Sequence, residues 1–397
     1  MSEKTPVFTL LRNATVLAPE NLGKRDVLLA GRMIAAVGEN LAAPAGYDCE
    51  VVDLAGCTLL PGLIDSHVHL IGGGGEGGYA TRTPEIQLSK VTTSGVTTVV
   101  GCLGTDGTTR HVESLLAKAR GLETEGISTY IYSGAYELPT PTVTGGIRRD
   151  IILIDKVIGA GEIAMSDHRS AQPSVQEYRK LIAEARVGGM LSGKAGIVDM
   201  HMGDGADGLK PLFEITANGE IPKTQILPTH VNRNPSLFEE SLEWARQGGF
   251  MDITSGIAPT DDDNSGCIKP SKAAKRALDA GVKASQITMS SDGNGSMPIF
   301  DAAGNTVGVG VASQATLLQE TRDMILAEGI APEVAVQFVT SNVAKALKLW
   351  PQKGCVAVSS DADLLAVDEK TYELRHVWAK GRHMVADGKP LVKGTFE

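Results

Sequence analysis

The chain has 397 residues, 42% hydrophobic and 21% charged, with 37 basic against 47 acidic side chains for a net charge of −10. Such a chain folds as one large or two ordinary globular domains, and its acidic balance, with no basic run, argues against nucleic acid or an anionic membrane as partner. Five scattered cysteines without a CxxC pair read as free thiols in a reducing compartment. No apolar run reaches membrane-spanning length, and the start MSEKTPVFTL lacks the apolar core of a signal peptide. The cytoplasm is the expected location.

Residues 7–60 read as short strands, VFTLLRNATVLAP, RDVLLAGRMIAAVG and YDCEVVDLAGCTLLPG, broken by Gly and Asn turns. The stretch from about 353 has the same character, and the two ends can pair into a small β-domain. Between them strand and helix alternate. Candidate strands are GLIDSHVHL, TTVVGCLG, STYIYSGAY, EIAMSD, GIVDMHMGD, QILPTHVN, FMDITSG and QITMSSDG. Helical stretches such as HVESLLAKARGLETEG, VQEYRKLIAEARVGG, LFEESLEWARQGG and KPSKAAKRALDAG separate them, several closed by Gly. The pattern predicts an α/β fold, a (β/α)₈ barrel over 61–351, with a small β-sandwich domain built from 1–60 and 352–397. A doubly wound open sheet is the alternative, but no GxGxxG opens a helix after a strand and GGGGE carries no Walker lysine.

The polar residues then fall into place. In a strand, residues i and i+2 face together, so His67 and His69 aim two imidazoles at one point. Each residue alone has an ordinary reading, as a polar strand end, a core imidazole or a turn acid. At the C-terminal strand ends of a barrel, however, His67, His69, Glu162, His201, His230 and Asp292 converge, and this set can hold two metal ions.

PGLIDSHVH, the strand-end histidines, SSDGNGS and ADLLAVD resemble the amidohydrolase superfamily. HVHLIGGGGE, TRTPE, GTDG, SDHRSAQP, HMGD, PTHVNRN and DITSGI extend the resemblance, over nearly the whole chain, to its dipeptidase family acting on isoaspartyl (β-aspartyl) dipeptides. The resemblance implies two Zn²⁺ ions. His67, His69 and Asp292 would bind the more buried one and His201 and His230 the other, with a carboxylate and a hydroxide bridging them. Family members commonly bridge with a carboxylated lysine. Here Glu162 holds that place, and the nearest lysine, Lys156, is six residues away and reads as the solvated face of the preceding helix. Glutamate supplies the same single negative charge at shorter reach, so the strand must come closer, which the Gly-Ala-Gly before it can permit.

By the same resemblance, hydroxide attacks an amide carbonyl, Asp292 shuttles the proton to the leaving amine and Tyr136 stabilises the oxyanion. Arg169 and Arg233 would bind substrate carboxylate, with Thr105 and Ser296 adding hydrogen bonds. Glu76 would meet the substrate ammonium, and Gly74 and Gly75 would let backbone N–H groups approach a small charged ligand. His168 reads as a supporting residue. The resemblance also implies a homo-oligomer, of octamer size. Two other readings compete: a cyclic-amide hydrolase of dihydroorotase or hydantoinase type on the same metal site, and a metal-free structural oligomer, which this chain's full ligand set disfavours.

Overall fold

The glycine- and asparagine-punctuated ends fold as strands, as their alternation requires. Phe8–Leu17, Asn21–Ala30, Met33–Gly38, Cys49–Asp53 and Cys57–Pro61 join Leu364–Asp368, Leu374–Ala379, Arg382–Ala386 and Lys389–Pro390 in one nine-stranded sheet. The seam is Cys57–Pro61, antiparallel to Leu364–Asp368 on one side and parallel to Phe8–Leu17 on the other. The alternate residues Leu11, Val16, Val27, Leu29, Leu59, Leu364 and Trp378 pack together on its buried side. The computed structural model describes residues 6–257, 266–300 and 306–397. The reading of the first residues as free of a leader therefore bears in part on residues 1–5, outside the described ones.

One residue past the seam the chain enters a parallel sheet. Leu63–Val68, Val96–Gly101, Ser128–Ser133, Val157–Met165, Ile197–Met202 and Ile226–Thr229 lie side by side in chain order. Met251–Thr254 and Ile287–Ser290 form a further parallel pair. All eight expected strands are present. The sheet curls: Val231 N–H donates to Asp252 at one join, and at the other Gly293 bridges Val68 and accepts from His69 N–H. These strands are buried throughout, as parallel strands covered on both faces are, and the polar residues they carry, such as Asp65, His67, Asp199 and His201, are buried with them.

Helices cover the sheet where the sequence signals them. Ser174 and Glu177 form a reciprocal capping box at the start of Val175–Ser192, which stops at Gly193 in the left-handed region. Asn234 caps Leu237 N–H and Pro235 opens Pro235–Arg246. Buried Lys353 ties the C-terminal segment to the parallel sheet, donating to Ser128, Asp361 and Asp363 at 2.7, 2.7 and 2.5 Å.

The fourth parallel strand begins at Val157, five residues earlier than the expected EIAMSD stretch. Lys156 therefore lies at the entry to that strand and not on a solvated helix face. It is largely buried, ion-paired to Glu123 and 5.5 Å from the Tyr130 ring centroid. Apolar VIGAG reads equally as helix or strand, and the glycines favoured neither. A hairpin, Ser296–Phe300 with Thr306–Val311, was not expected.

Candidate metal and active site

Glu162 is the centre of the site, and the local backbone explains how. Ala160 pairs with Val198 and Ile163 with Met200, so Gly161 and Glu162 together oppose Asp199 alone. This bulge turns the Glu162 side chain to the carboxyl ends of the parallel strands. Gly161 is required for it: φ is +150°, and a Cβ there would lie 2.7 Å from Asp199 Cβ. The close approach expected of Gly-Ala-Gly is thus present as a bulge against the neighbouring strand.

Four imidazoles surround the buried Glu162 carboxylate. His67 and His69, on the first parallel strand and just past it, place Nε2 at 3.3 and 3.8 Å from Oε2. His230 Nε2 is 3.2 Å and His201 Nδ1 2.5 Å from Oε1. The ring nitrogens facing away are also met. Asp199 lies 2.8 Å from His67 Nδ1, the Thr254 hydroxyl 2.7 Å from His230 Nδ1, Cys102 Sγ 3.9 Å from His69 Nδ1 and Asp167 2.9 Å from His201 Nε2. Such outer contacts fix ring orientation and tautomer. Asp292 Oδ1 is 3.1 Å from His69 Nε2 and 3.7 Å from His67 Nε2. His230 and Asp292 both sit at positive φ, +62° and +55°, a left-handed conformation uncommon for non-glycine residues.

The donors fall into two groups, His67, His69, Cys102 and Glu162, and Glu162, His201 and His230, each tight enough to hold a metal ion. Glu162 belongs to both. Its Oε2 and both nitrogens of His67 are buried and make no hydrogen bond, although Asp199 lies beside Nδ1, so this cluster has lone pairs to offer a cation. The electrostatics agree. Burial disfavours a charged His67, yet Cys102, Glu162 and Asp199 raise its pKa well above 6.5. Burial, against the pull of Glu162, lowers His230 to about 3 and keeps it a neutral ligand-type imidazole. The pocket favours added positive charge, and its N and O donors suit divalent metal.

The other expected residues rim this centre. Tyr136 O–H is 2.9 Å from His201 Nδ1, and burial, then Glu162, raises its pKa well above 10, so it stays protonated. Thr105 O–H donates to Glu76 at 2.8 Å. Gly74 packs against Thr81 and Ser296, with φ +71°, where a side chain would clash. Gly75 follows at φ +109°. Arg169 is largely committed: its Nε and Nη2 reach Asp167 at 3.0 and 2.7 Å and its Nη1 lies 3.4 Å from Glu76. Arg233 is freer, with Nε unpartnered and Nη1 4.0 Å from exposed Asp204. His168 Nδ1 lies 3.6 Å from Asp167, the contact a supporting residue would make. Its side chain is nonetheless 90% exposed.

Sequence reasoning missed Asp199, Cys102 and Thr254. Asp199 had a legible trace, two residues before His201 and so on the same strand face. Cys102 and Thr254 carried none.

The amidohydrolase family model matches residues 58–384. The chain belongs to the amidohydrolase family. Its likeness to β-aspartyl dipeptidase from thermophilic keratin-degrading Fervidobacterium islandicum AW-1, in complex with β-Asp-Leu dipeptide, is 45% identity over 97% of this chain and 98% of that one, with a TM-score of 0.88. Dihydropyrimidinase from Brevibacillus agri NCHU1002, at 18% identity over 98% and 97% of the two chains and a TM-score of 0.68, shares the amidohydrolase fold. Among curated relatives, adenine deaminase 1 from Latilactobacillus sakei is 22% identical over 97% of this chain, which spans 59% of that protein's length. D-hydantoinase from Geobacillus stearothermophilus is 24% identical over 96% of this chain and 88% of its own. Among the described residues no helix is long and apolar enough to cross a membrane.

Proposed function

We propose that the protein is a dinuclear zinc hydrolase that cleaves the β-aspartyl amide bond of dipeptides. The observation that carries this is the sharing of one buried carboxylate, Glu162, by both donor groups, in a chain 45% identical to a β-aspartyl dipeptidase. In this reading residues 61–351 form a (β/α)₈ barrel, with the expected β-sandwich domain from 1–60 and 352–397, in a cytoplasmic homo-oligomer of octamer size.

His67, His69 and Asp292 would hold one metal, His201 and His230 the other, and Glu162 would bridge them with no carboxylated lysine. When bound, zinc supplies a nucleophilic water near neutral pH and polarises the scissile carbonyl. The chain's own groups do the rest. Asp292, beside His69, takes the proton of the attacking water and delivers it to the leaving amine. Tyr136 donates its O–H to the carbonyl oxygen as charge develops there. Arg233 offers its unspent fork to a substrate carboxylate, assisted by Arg169, Thr105 and Ser296. Glu76 receives the α-ammonium, and Gly74 and Gly75 keep that side of the pocket free of side chains. Fixed charges at fixed distances from the metals select the β-linkage, since an α-linkage moves the scissile carbonyl relative to both.

A substrate panel tests the assignment. Metal-loaded protein should hydrolyse β-aspartyl-leucine and leave α-aspartyl-leucine, dihydroorotate and hydantoin essentially untouched. Preference for a cyclic amide would move the assignment to the hydantoinase-like reading.

A further inference from the structure

Arg110 is 5% exposed, yet the described residues give its guanidinium no carboxylate partner within ion-pair distance. Its hydrogen bonds all go to backbone carbonyls: Nε to Gly72 at 2.7 Å, Nη2 to Gly73 at 3.0 Å and to Thr83 at 3.1 Å. Burial lowers its pKa. A charge kept in so unfavourable a place needs a reason.

Two of the three carbonyls it holds, those of Gly72 and Gly73, belong to the GGGGE loop. Four consecutive glycines have more backbone freedom to lose than any other run of residues, and among Gly72–Gly75 only Gly73 lies outside the positive-φ set. No side chain in the run can anchor it. The anchors come from elsewhere. Besides Arg110, the Thr83 hydroxyl accepts from Gly73 N–H at 2.7 Å and donates to Asn294 O at 2.7 Å. Asn294 in turn donates to His69 O at 2.9 Å. Arg110 and Thr105 lie in the same loop after the second parallel strand, Thr105 touching the Glu76 carboxylate and Arg110 the backbone leading to it.

We infer that Arg110 is a positioning residue for substrate recognition: its guanidinium holds the glycine loop in the one path that presents Glu76 to the substrate ammonium. This rests on the proposed role of Glu76. Arg110 touches neither substrate nor the metal-binding donors. Its loss leaves the Gly72 and Thr83 carbonyls unpaired, with Gly73 O still held by Thr83 N–H, and loosens the loop, so binding of an ammonium-bearing substrate suffers more than the chemical step.

The test is Arg110→Ala and Arg110→Lys in the zinc-loaded protein, read by amide hydrogen exchange over 70–80, metal content, and KM and kcat on β-aspartyl-leucine. Arg110→Ala should speed exchange in this segment, keep its metal and raise KM roughly tenfold or more, the scale of one lost charge-assisted hydrogen bond, with kcat changed much less. Added methylguanidinium should restore both protection and KM, whereas methylammonium at equal concentration should not. Arg110→Lys should fall short of wild type, since an ammonium cannot span three carbonyls. Unchanged exchange and KM in Arg110→Ala would overturn the inference. So would loss of metal and kcat together with no response to methylguanidinium, which marks a general structural role. Wild-type protein inactive on β-aspartyl-leucine would sink the substrate reading alone, because the exchange measurement needs no substrate.

Discussion

Glu162 Oε1 lies 2.5 Å from His201 Nδ1, with both side chains buried, while the other oxygen of the same carboxylate faces His67 and His69. One anion between two imidazole pairs is what two dications need, since their mutual repulsion at close range is relieved by a charge between them. Glu162→Ala should therefore keep no more than one tightly bound metal per chain. Its activity should fall by at least roughly 100-fold, the upper end of what losing a mere supporting contact to a ligand costs. Elemental analysis after desalting reads the first effect and a rate assay the second.

Lys156 gives the complementary expectation. It pairs with Glu123 at the entry of the strand that bears Glu162. Lys156→Met should leave kcat/KM within about twofold of wild type, the scale of a change remote from the chemistry. Reconstitution with zinc should proceed equally with and without bicarbonate. A bicarbonate requirement that vanishes in Lys156→Met would place a carbamate in the enzyme.

Asp199 sits 2.8 Å from His67 Nδ1, and burial, against the pull of His67, raises its carboxyl to about 6. Asp199→Asn keeps the shape but loses the anion that orients and polarises the imidazole. Zinc affinity should weaken roughly 10- to 100-fold, measured by competition with a chelator, with secondary structure unchanged by circular dichroism.

Arg233→Ala removes the fork that the protein itself leaves nearly unpaired. The expected loss in kcat/KM on β-aspartyl-leucine is about 2–3 kcal/mol, as for a charge-assisted bond. A substrate lacking the corresponding carboxylate should be barely affected, and equal losses on both would remove Arg233 from carboxylate recognition.

Asp106 supplies a pH expectation away from the metals. Burial pushes its carboxyl up, but Thr109, Arg82 and Thr108 outweigh this and hold it at about 2, against the ordinary 3.8. A depressed carboxylate stabilises the fold above its unfolded pKa, and that contribution is lost as pH falls through the folded one. The melting-temperature gap between wild type and Asp106→Asn, in metal-free protein, should be full at pH 6 and shrink as pH approaches about 2.

Much of this site was legible because strands impose a period of two. HVH places both imidazoles on one face, and the strand-end positions of His230 and Asp292 follow from where the apolar runs stop. Glu162 was found from its place in the resembled pattern. Its inward turn depends on the bulge opposite Asp199, which no local propensity encodes. The partners of the ligands were harder. Asp199 meets His67 across 132 positions of sequence, and Arg110 meets Gly72 through backbone carbonyls, a contact that leaves no pattern in side-chain type. The fourth strand's early start was hidden because VIGAG carries no clear period.

The most direct test of the shared carboxylate is anomalous diffraction from crystals of the zinc-loaded protein at the zinc edge. The account predicts two zinc peaks, one beside His67, His69 and Asp292 and one beside His201 and His230, with the two oxygens of Glu162 divided between them. A single peak, or Glu162 turned to solvent with a carboxylated lysine between two zincs, would contradict it.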